Sequence, residues 1–283
     1  MTQVWTVVVP VKRLDAAKSR LRGALPGQPH EALALALAVD TIEAVRACPV
    51  VAGVLVVTDD PAVTAAAGAA GARVVPDHPT GGLNPAFRHG AAVAGAGWVA
   101  GLTADLPALR PVELAAALSA ARSGPTARRY VPDAPGTGTV LLAAPPGVPL
   151  DPRFGGGSAA AHAASGALPL LGAGPSLRRD VDTAADLAAA TRLGLGARTA
   201  SLCGTAAPPS VGRCSLPVMQ GTVATYDATT RSGVLLLDDG TELAFPAPAF
   251  DASGLRLLRL GQRLRVETDG AGTVIRVTLP TMS

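Results

Sequence analysis

Lys12, Lys18 and Asn84 are the only lysines and the only asparagine in a chain with 24 basic residues. A GC-rich codon bias that turns Lys into Arg and removes Asn explains the scarcity. The survivors are then the residues that chemistry is most able to hold in place. Both lysines fall directly after the first apolar run, in the segment 10–22 (PVKRLDAAKSRLR), where Lys12, Arg13, Lys18, Arg20 and Arg22 place five cations within 11 residues. Cations at the carboxyl end of a buried strand, ahead of a helix, suit a phosphate-bearing ligand. A solvated basic loop is the plainer alternative.

Carboxylates supply the complementary chemistry. Asp105 closes an apolar run in Leu102–Pro107 (LTADLP) and is well placed to hold Mg²⁺ against a phosphate, or simply to cap the turn before Pro107. In Leu177–Thr183 (LRRDVDT), Asp180 and Asp182 stand at i and i+2, so on an extended strand they share a face. Two such carboxylates repel unless a cation neutralises them, and Mg²⁺ takes one or two carboxylates together with substrate phosphates and water. The alternative has Asp182 capping the next helix and Asp180 paired with an Arg. Two glycine-rich loops, Gly136–Thr139 (GTGT) and Phe154–Ser158 (FGGGS), let backbone N–H groups approach an anion, with Ser158 as a helix N-cap. Tight turns are the plain reading of both.

The elements that must position these groups alternate. Continuous apolar runs at Val4–Pro10 and Gly53–Thr58 predict strands buried on both faces. Arg73–Pro76 and Trp98–Thr103 predict two more, and Arg129–Pro132 with Thr139–Ala144 a further pair toward the other edge. Helices are predicted over His30–Ala47, Pro61–Ala70, Asn84–Ala94, Pro111–Arg122, Ser158–Ser165 and Thr183–Leu193. Pro opens two of them, and Thr183 with Asp186 forms a capping-box start to the last. Alternation of this kind implies βαβ units and a mainly parallel sheet.

The pattern changes after residue 203. Residues 204–217, rich in Pro, Gly, Ser and Thr, read as a linker. From 218 to 283, five short β runs (Gly221–Tyr226, Gly233–Leu237, Glu242–Phe245, Arg263–Glu267, Thr273–Val277) suggest a small all-β barrel of the OB type. With 283 residues and 48% apolar content, one large and one small domain are affordable. Aromatics are only 3%, so the core is built from Ala, Val and Leu. Net charge of +3 suits small anionic substrates and is too weak by itself to argue for nucleic acid. No run reaches the length of a membrane-spanning helix, and residues 1–10 read as a strand rather than a signal peptide. Cys48, Cys203 and Cys214 lack ligand spacing and fit reduced thiols, so a cytoplasmic location is expected.

Taken in order, PVKRLDAAKSRL at 10–21, Asp105-Leu-Pro, GTGT at 136–139, DPRFGGGSAAAH at 151–162 and RRDVDT at 178–183 resemble the 2-phospho-L-lactate or phosphoenolpyruvate guanylyltransferase family of coenzyme F-420 biosynthesis, over residues 1 to about 202. The resemblance implies an α/β, Rossmann-like nucleotidyltransferase domain of the GT-A type over residues 1–203. It implies transfer of GMP from GTP to phosphoenolpyruvate or 2-phospho-L-lactate, with enolpyruvoyl-2-diphospho-5'-guanosine as the product from the former and with release of pyrophosphate. It makes Asp105, Asp180 and Asp182 the Mg²⁺ ligands, and Thr139, Gly155 and Ser158 the groups around the acceptor. By position, Lys12, Lys18, Arg22, Gly82 and Asn84 are expected around GTP, with Lys18 also among the catalytic residues. Transfer to 3-phosphoglycerate, another nucleotidyltransferase activity, and a non-catalytic nucleic-acid-binding protein are the alternatives. Oligomeric state stays open, a homodimer included, as does handover to the next enzyme of the pathway.

Residues 218–283 separately resemble a cold-shock domain, at Gln220-Gly-Thr-Val223, Asp238-Asp-Gly240 and Gly261-Gln262. Where such domains stack bases on aromatics, this chain reads Ser232-Gly-Val-Leu-Leu-Leu237. The segment carries six Arg against seven Asp and Glu, so nucleic acid is not an expected partner.

Overall fold

The computed structural model describes residues 4–15, 21, 23–25, 27–77, 81–123, 126–204, 219–237, 241–251, 257–268 and 274–279. Lys18, Arg22, Cys214 and all but the first residue of the expected linker lie outside the described residues. The chain divides into two compact units, Met1–Ser210 and Val211–Ser283. Among the described residues no helix is long and apolar enough to cross a membrane.

The first unit runs β1 (Trp5–Pro10), α1 (His30–Arg46), β2 (Val51–Val57), α2 (Pro61–Ala69), β3 (Arg73–Val75), α3 (Leu83–Ala94), β4 (Trp98–Leu102), α4 (Pro111–Arg122), β5 (Arg129–Pro132), β6 (Thr139–Ala144), α5 (Ser158–Ala164), β7 (Leu168–Pro169), α6 (Pro175–Arg178), α7 (Ala184–Leu193) and α8 (Ala197–Leu202). Its strands form one sheet in the order β3-β2-β1-β4-β6-β5-β7. β1, β2, β3 and β4 are parallel, and β6 runs antiparallel to both of its neighbours. The apolar runs are continuous because both faces are covered. Val7 and Val9 join a core with α1, α2 and α4, while Val8 between them joins one with α3 and α5. β2 repeats this division, with Val54 and Val56 on one side and Leu55 and Val57 on the other.

After β1 the chain winds outward through β2 and β3, then returns to β4 on the other side of β1. A crevice therefore opens beyond the carboxyl ends of β1 and β4, where an open α/β sheet binds its ligand. The loop leaving β1 is tied down by Asp60. Its carboxylate accepts the N–H groups of Ala62 (2.9 Å) and Val63 (3.2 Å) as the α2 N-cap, and that of Leu14 (3.0 Å) from the loop. Burial disfavours the charged form, but these N–H groups and Arg13 outweigh it and lower the Asp60 pKa. Its contribution is thus present above the ordinary value of 3.8 and is lost as pH falls through the lower native value. Asp60→Ala is expected to lose about 1–3 kcal/mol at neutral pH. It should lose less than the native chain on acidification, as urea unfolding at two pH values will show.

Three short elements escape the sequence pattern: β7, α6 and α8. α8 is held from a distance, since buried Asp40 of α1 accepts the N–H groups of Arg198 (3.0 Å) and Thr199 (2.8 Å). Burial raises the Asp40 pKa, and the same two N–H groups limit the rise. Two local expectations are corrected. Leu177 and Arg178 close α6, and residues 179–183 are irregular rather than a strand, because the Val181 N–H pairs with the Asp105 carbonyl (3.0 Å) and not with a sheet neighbour. Gly157, at φ 69°, is the N-cap of α5, which makes Ser158 the first helical residue. The Thr183–Asp186 capping box forms as the spacing predicts.

The second unit contains β8 (Met219–Asp227), β9 (Ser232–Leu237), β10 (Glu242–Phe245), α9 (Ala247–Asp251), β11 (Arg263–Thr268) and β12 (Val274–Thr278). Its strands form an antiparallel sheet in the order β10-β9-β8-β11-β12. Val223, Leu235, Phe245, Leu264, Val266 and Val277 make its core with Phe250 of α9, a helix the strand pattern did not indicate.

Candidate active site

A cavity of about 710 Å³ occupies the crevice beyond β1 and β4. Pro10, Val11 and exposed Lys12 reach it from the end of β1, and Thr103, Ala104 and Asp105 from the end of β4. Asp133 with Thr137–Thr139, Phe154–Ser158, and Asp180 with Asp182 add the remaining polar wall, and apolar side chains of α1 and α3 line the rest. Lys12, Asp105, Thr139, Gly155, Ser158, Asp180 and Asp182 are thereby brought to one cavity from across 171 residues of chain, from 12 to 182.

Asp180 and Asp182 reach it without a strand. The irregular segment is extended enough for buried Val181 to face a core cluster with Leu21, Leu33 and Leu187, while its two neighbours line the cavity. Asp180 is half-buried and Asp182 exposed. Burial, and then the carboxylates of Asp105, Asp182 and Asp133, push the Asp180 pKa from 3.8 up to about 7. Among the described residues, no three His, Cys, Asp or Glu side chains stand close enough to hold an ion on their own.

The GTGT loop is built around Asp133, whose carboxylate accepts the N–H groups of Thr137 and Gly138, both at 2.9 Å. A Cβ on Gly138 would run into that same carboxylate, so glycine is required there by close approach. The second loop is latched by Asn84. The Phe154 N–H donates to Asn84 Oδ1 (2.7 Å), and Asn84 Nδ2 donates to the Phe154 carbonyl (3.0 Å). Neither Asn84 nor Gly82, the N-cap of α3 at φ 97°, lines the cavity. The Asn84 side chain instead holds the FGGGS loop through these two hydrogen bonds.

Sequence reasoning missed Asp133 and gave no individual role to Phe154 or His162, although both fall within the DPRFGGGSAAAH motif. Asp133 carried a usable signal, since an Asp shortly before Pro-Gly is a turn-forming arrangement. The roles of Phe154 and His162 were not readable, because each depends on which atoms the fold sets against its ring or main chain.

A doubly wound sheet with a carboxylate- and glycine-lined cavity at its switch point is the architecture of a nucleotidyltransferase. Residues 33–187 match the MobA-like NTP transferase domain. A nucleotidyl transferase from Methanothermobacter shares the fold with a TM-score of 0.50 at 17% identity, covering 67% of this chain and 97% of that one. More narrowly, this chain belongs to the phosphoenolpyruvate guanylyltransferase family. It is 84% identical over 208 residues to the phosphoenolpyruvate guanylyltransferase of Salinispora arenicola, across 74% of this chain and 97% of that one. It is 56% identical over 213 residues to that of Geodermatophilus obscurus, across 74% and 98%.

Proposed function

We propose that this chain transfers GMP from GTP to phosphoenolpyruvate, giving enolpyruvoyl-2-diphospho-5'-guanosine and pyrophosphate, as a step in coenzyme F-420 biosynthesis. One observation carries the reading. A single cavity gathers a lysine, four carboxylates and two glycine-rich loops in a chain 84% identical to the phosphoenolpyruvate guanylyltransferase of Salinispora arenicola.

An oxygen of the acceptor phosphate attacks the α-phosphorus of GTP in line. The bond from that phosphorus to the β-bridging oxygen breaks, and pyrophosphate leaves with the electron pair. The acceptor phosphate is already an anion at neutral pH, so no side chain has to remove a proton. The protein contributes placement and charge. Lys12 binds the triphosphate. Thr139, Ser158 and the Gly155 backbone hold the acceptor. Asp105, Asp180 and Asp182 would hold Mg²⁺, and their all-oxygen character and mutual repulsion fit that ion. Mg²⁺ commonly completes its shell with substrate phosphates and water rather than with side chains alone. When bound, the ion would supply Lewis-acid neutralisation of the phosphoryl charge.

Pyrophosphate release with each of four nucleoside triphosphates against a panel of phospho-acids tests the reading. GTP with phosphoenolpyruvate should give the fastest release and a product of the corresponding mass. Preference for CTP, or for a sugar phosphate, would overturn it. Lys12→Ala should lower kcat/KM for GTP about tenfold, the worth of one charge-assisted hydrogen bond. An unchanged value would return Lys12 to the solvated surface.

The second unit we read as a small OB-type barrel. The support is that β10 and β12, at opposite ends of the strand order, lie against each other. Its aromatics do not favour a nucleic-acid platform: Phe245 and Phe250 are buried in the core, with Tyr226 packed against it. Fluorescence anisotropy of the whole chain with a short single-stranded oligonucleotide, at about 0.15 M salt, should show no submicromolar binding.

A further inference from the structure

His162 has no exposed surface, and none of the chemistry above uses it. It lies on α5 between the rings of Phe154, edge-on with centroids 5.2 Å apart, and Tyr130 at 5.9 Å. Both ring nitrogens are engaged. The Arg153 backbone N–H donates to Nε2 at 2.9 Å, and Nδ1 stands 2.9 Å from Thr139 Oγ1.

A backbone N–H can only donate, so Nε2 presents a bare lone pair. The single proton of a neutral imidazole then resides on Nδ1. Burial, with Arg128 and Arg153 nearby, keeps the ring neutral and lowers its pKa to about 4, against the opposing pull of Asp151 and the Ser158 carbonyl. With Nδ1 carrying a proton, Thr139 Oγ1 cannot donate to it and can only accept from it. The hydroxyl hydrogen of Thr139 is left for another partner, and Thr139 is on the cavity wall. The opposite tautomer would direct that hydrogen at Nδ1 and leave only oxygen lone pairs toward an anion.

We propose that His162 is a positioning residue that turns the Thr139 hydroxyl into a hydrogen-bond donor toward the anionic acceptor. Through the Arg153 N–H, the same imidazole fixes the start of the FGGGS loop, so one buried ring sets both loops that face the acceptor. The proposal rests on the reading of Thr139 as an acceptor-binding residue.

Steady-state kinetics of the full chain, varying phosphoenolpyruvate and GTP in turn, test it with Thr139→Val, His162→Leu, His162→Asn and the Thr139→Val/His162→Leu double variant. Asn can keep an N–H near the position of Nδ1, and Leu keeps only bulk. Thr139→Val and His162→Leu should each raise KM for phosphoenolpyruvate at least about tenfold, with KM for GTP held within about twofold. The double variant should be no worse than the poorer single one, since both act on the same donor, Val by deleting the hydroxyl and Leu by leaving it unoriented. His162→Asn should recover most of the loss. Additive losses, an equal rise in both KM values, or His162→Asn no better than His162→Leu would each reduce His162 to a core residue. If Thr139→Val leaves KM for phosphoenolpyruvate unchanged, the acceptor reading of Thr139 fails and this proposal with it. If Thr139→Val has its effect and the His162 variants have none, only this proposal fails. Should His162→Leu not fold, His162→Asn decides: a near-native KM supports the proposal, and a tenfold rise overturns it.

Discussion

Asp180→Asn is expected to lower turnover at least about a hundredfold, since neutralising phosphoryl charge is worth several kcal/mol, while leaving the chain as stable at pH 8 as before, or more so. The opposite signs are what mark a carboxylate kept for chemistry. Asp180 is half-buried beside three other carboxylates, and both burial and repulsion raise its pKa from 3.8 to about 7. The native state therefore holds this proton more tightly than the unfolded chain does. Stability falls as pH rises from 3.8 through about 7, because ionisation in the native site works against burial and three like charges. Asparagine keeps the shape and removes the charge. Thermal unfolding between pH 5 and 8 should show a downward slope in the native chain that is flatter in the variant. Added Mg²⁺ should raise the melting temperature of the native chain at pH 8 and raise that of the variant less. A variant that loses stability at pH 8, or one that turns over normally, would mean that Asp180 is a structural carboxylate.

The central strands of the first sheet were legible because they are buried on both faces and so read as unbroken apolar runs. β1 with β2 shows this most plainly, and Pro at the first helical position marked the starts of α2 and α4. Elements held by remote partners were not legible. α8 has six residues and little propensity of its own, and it starts where Asp40, 158 residues earlier, receives its first N–H groups. The segment at 179–183 has the alternation of a strand, but its backbone partner is the carbonyl of Asp105 in a loop. The candidate site divides in the same way. Residue type and spacing pointed to Asp105, Asp180, Asp182 and both glycine-rich loops. The scarcity of Asn pointed to Asn84 as well, but type alone could not say that its amide pairs with the main chain of Phe154, 70 residues on. His162 illustrates the limit: what its two nitrogens touch is set by the fold, and the residue type alone does not show it.

Gly90→Ala should destabilise the chain by about 2–3 kcal/mol, against the local trend, because Ala in place of Gly inside a helix ordinarily gains about 1 kcal/mol. The reason is the closeness of α3 to the sheet. A Cβ at Gly90 would fall among the methyl groups of Val8 and Val57. Val8 is fully buried on β1, with β2 and β4 paired on its two sides, so the strand cannot yield. α3 has to move instead. It carries Asn84, which latches the Phe154 main chain, and Phe87, whose ring stacks on that of Phe154 at 4.2 Å. Lifting the helix therefore pulls at the FGGGS loop, and KM for phosphoenolpyruvate should rise along with the loss of stability. Asn84→Ala separates the two effects. It leaves the α3–β1 contact intact, removes both latch hydrogen bonds, and should raise the same KM with a stability loss of about 1–2 kcal/mol. Urea unfolding and acceptor kinetics on the two variants decide the matter. A Gly90→Ala chain as stable as the native one would show that α3 does not approach β1 this closely, and the mechanical link from core to loop would fall with it.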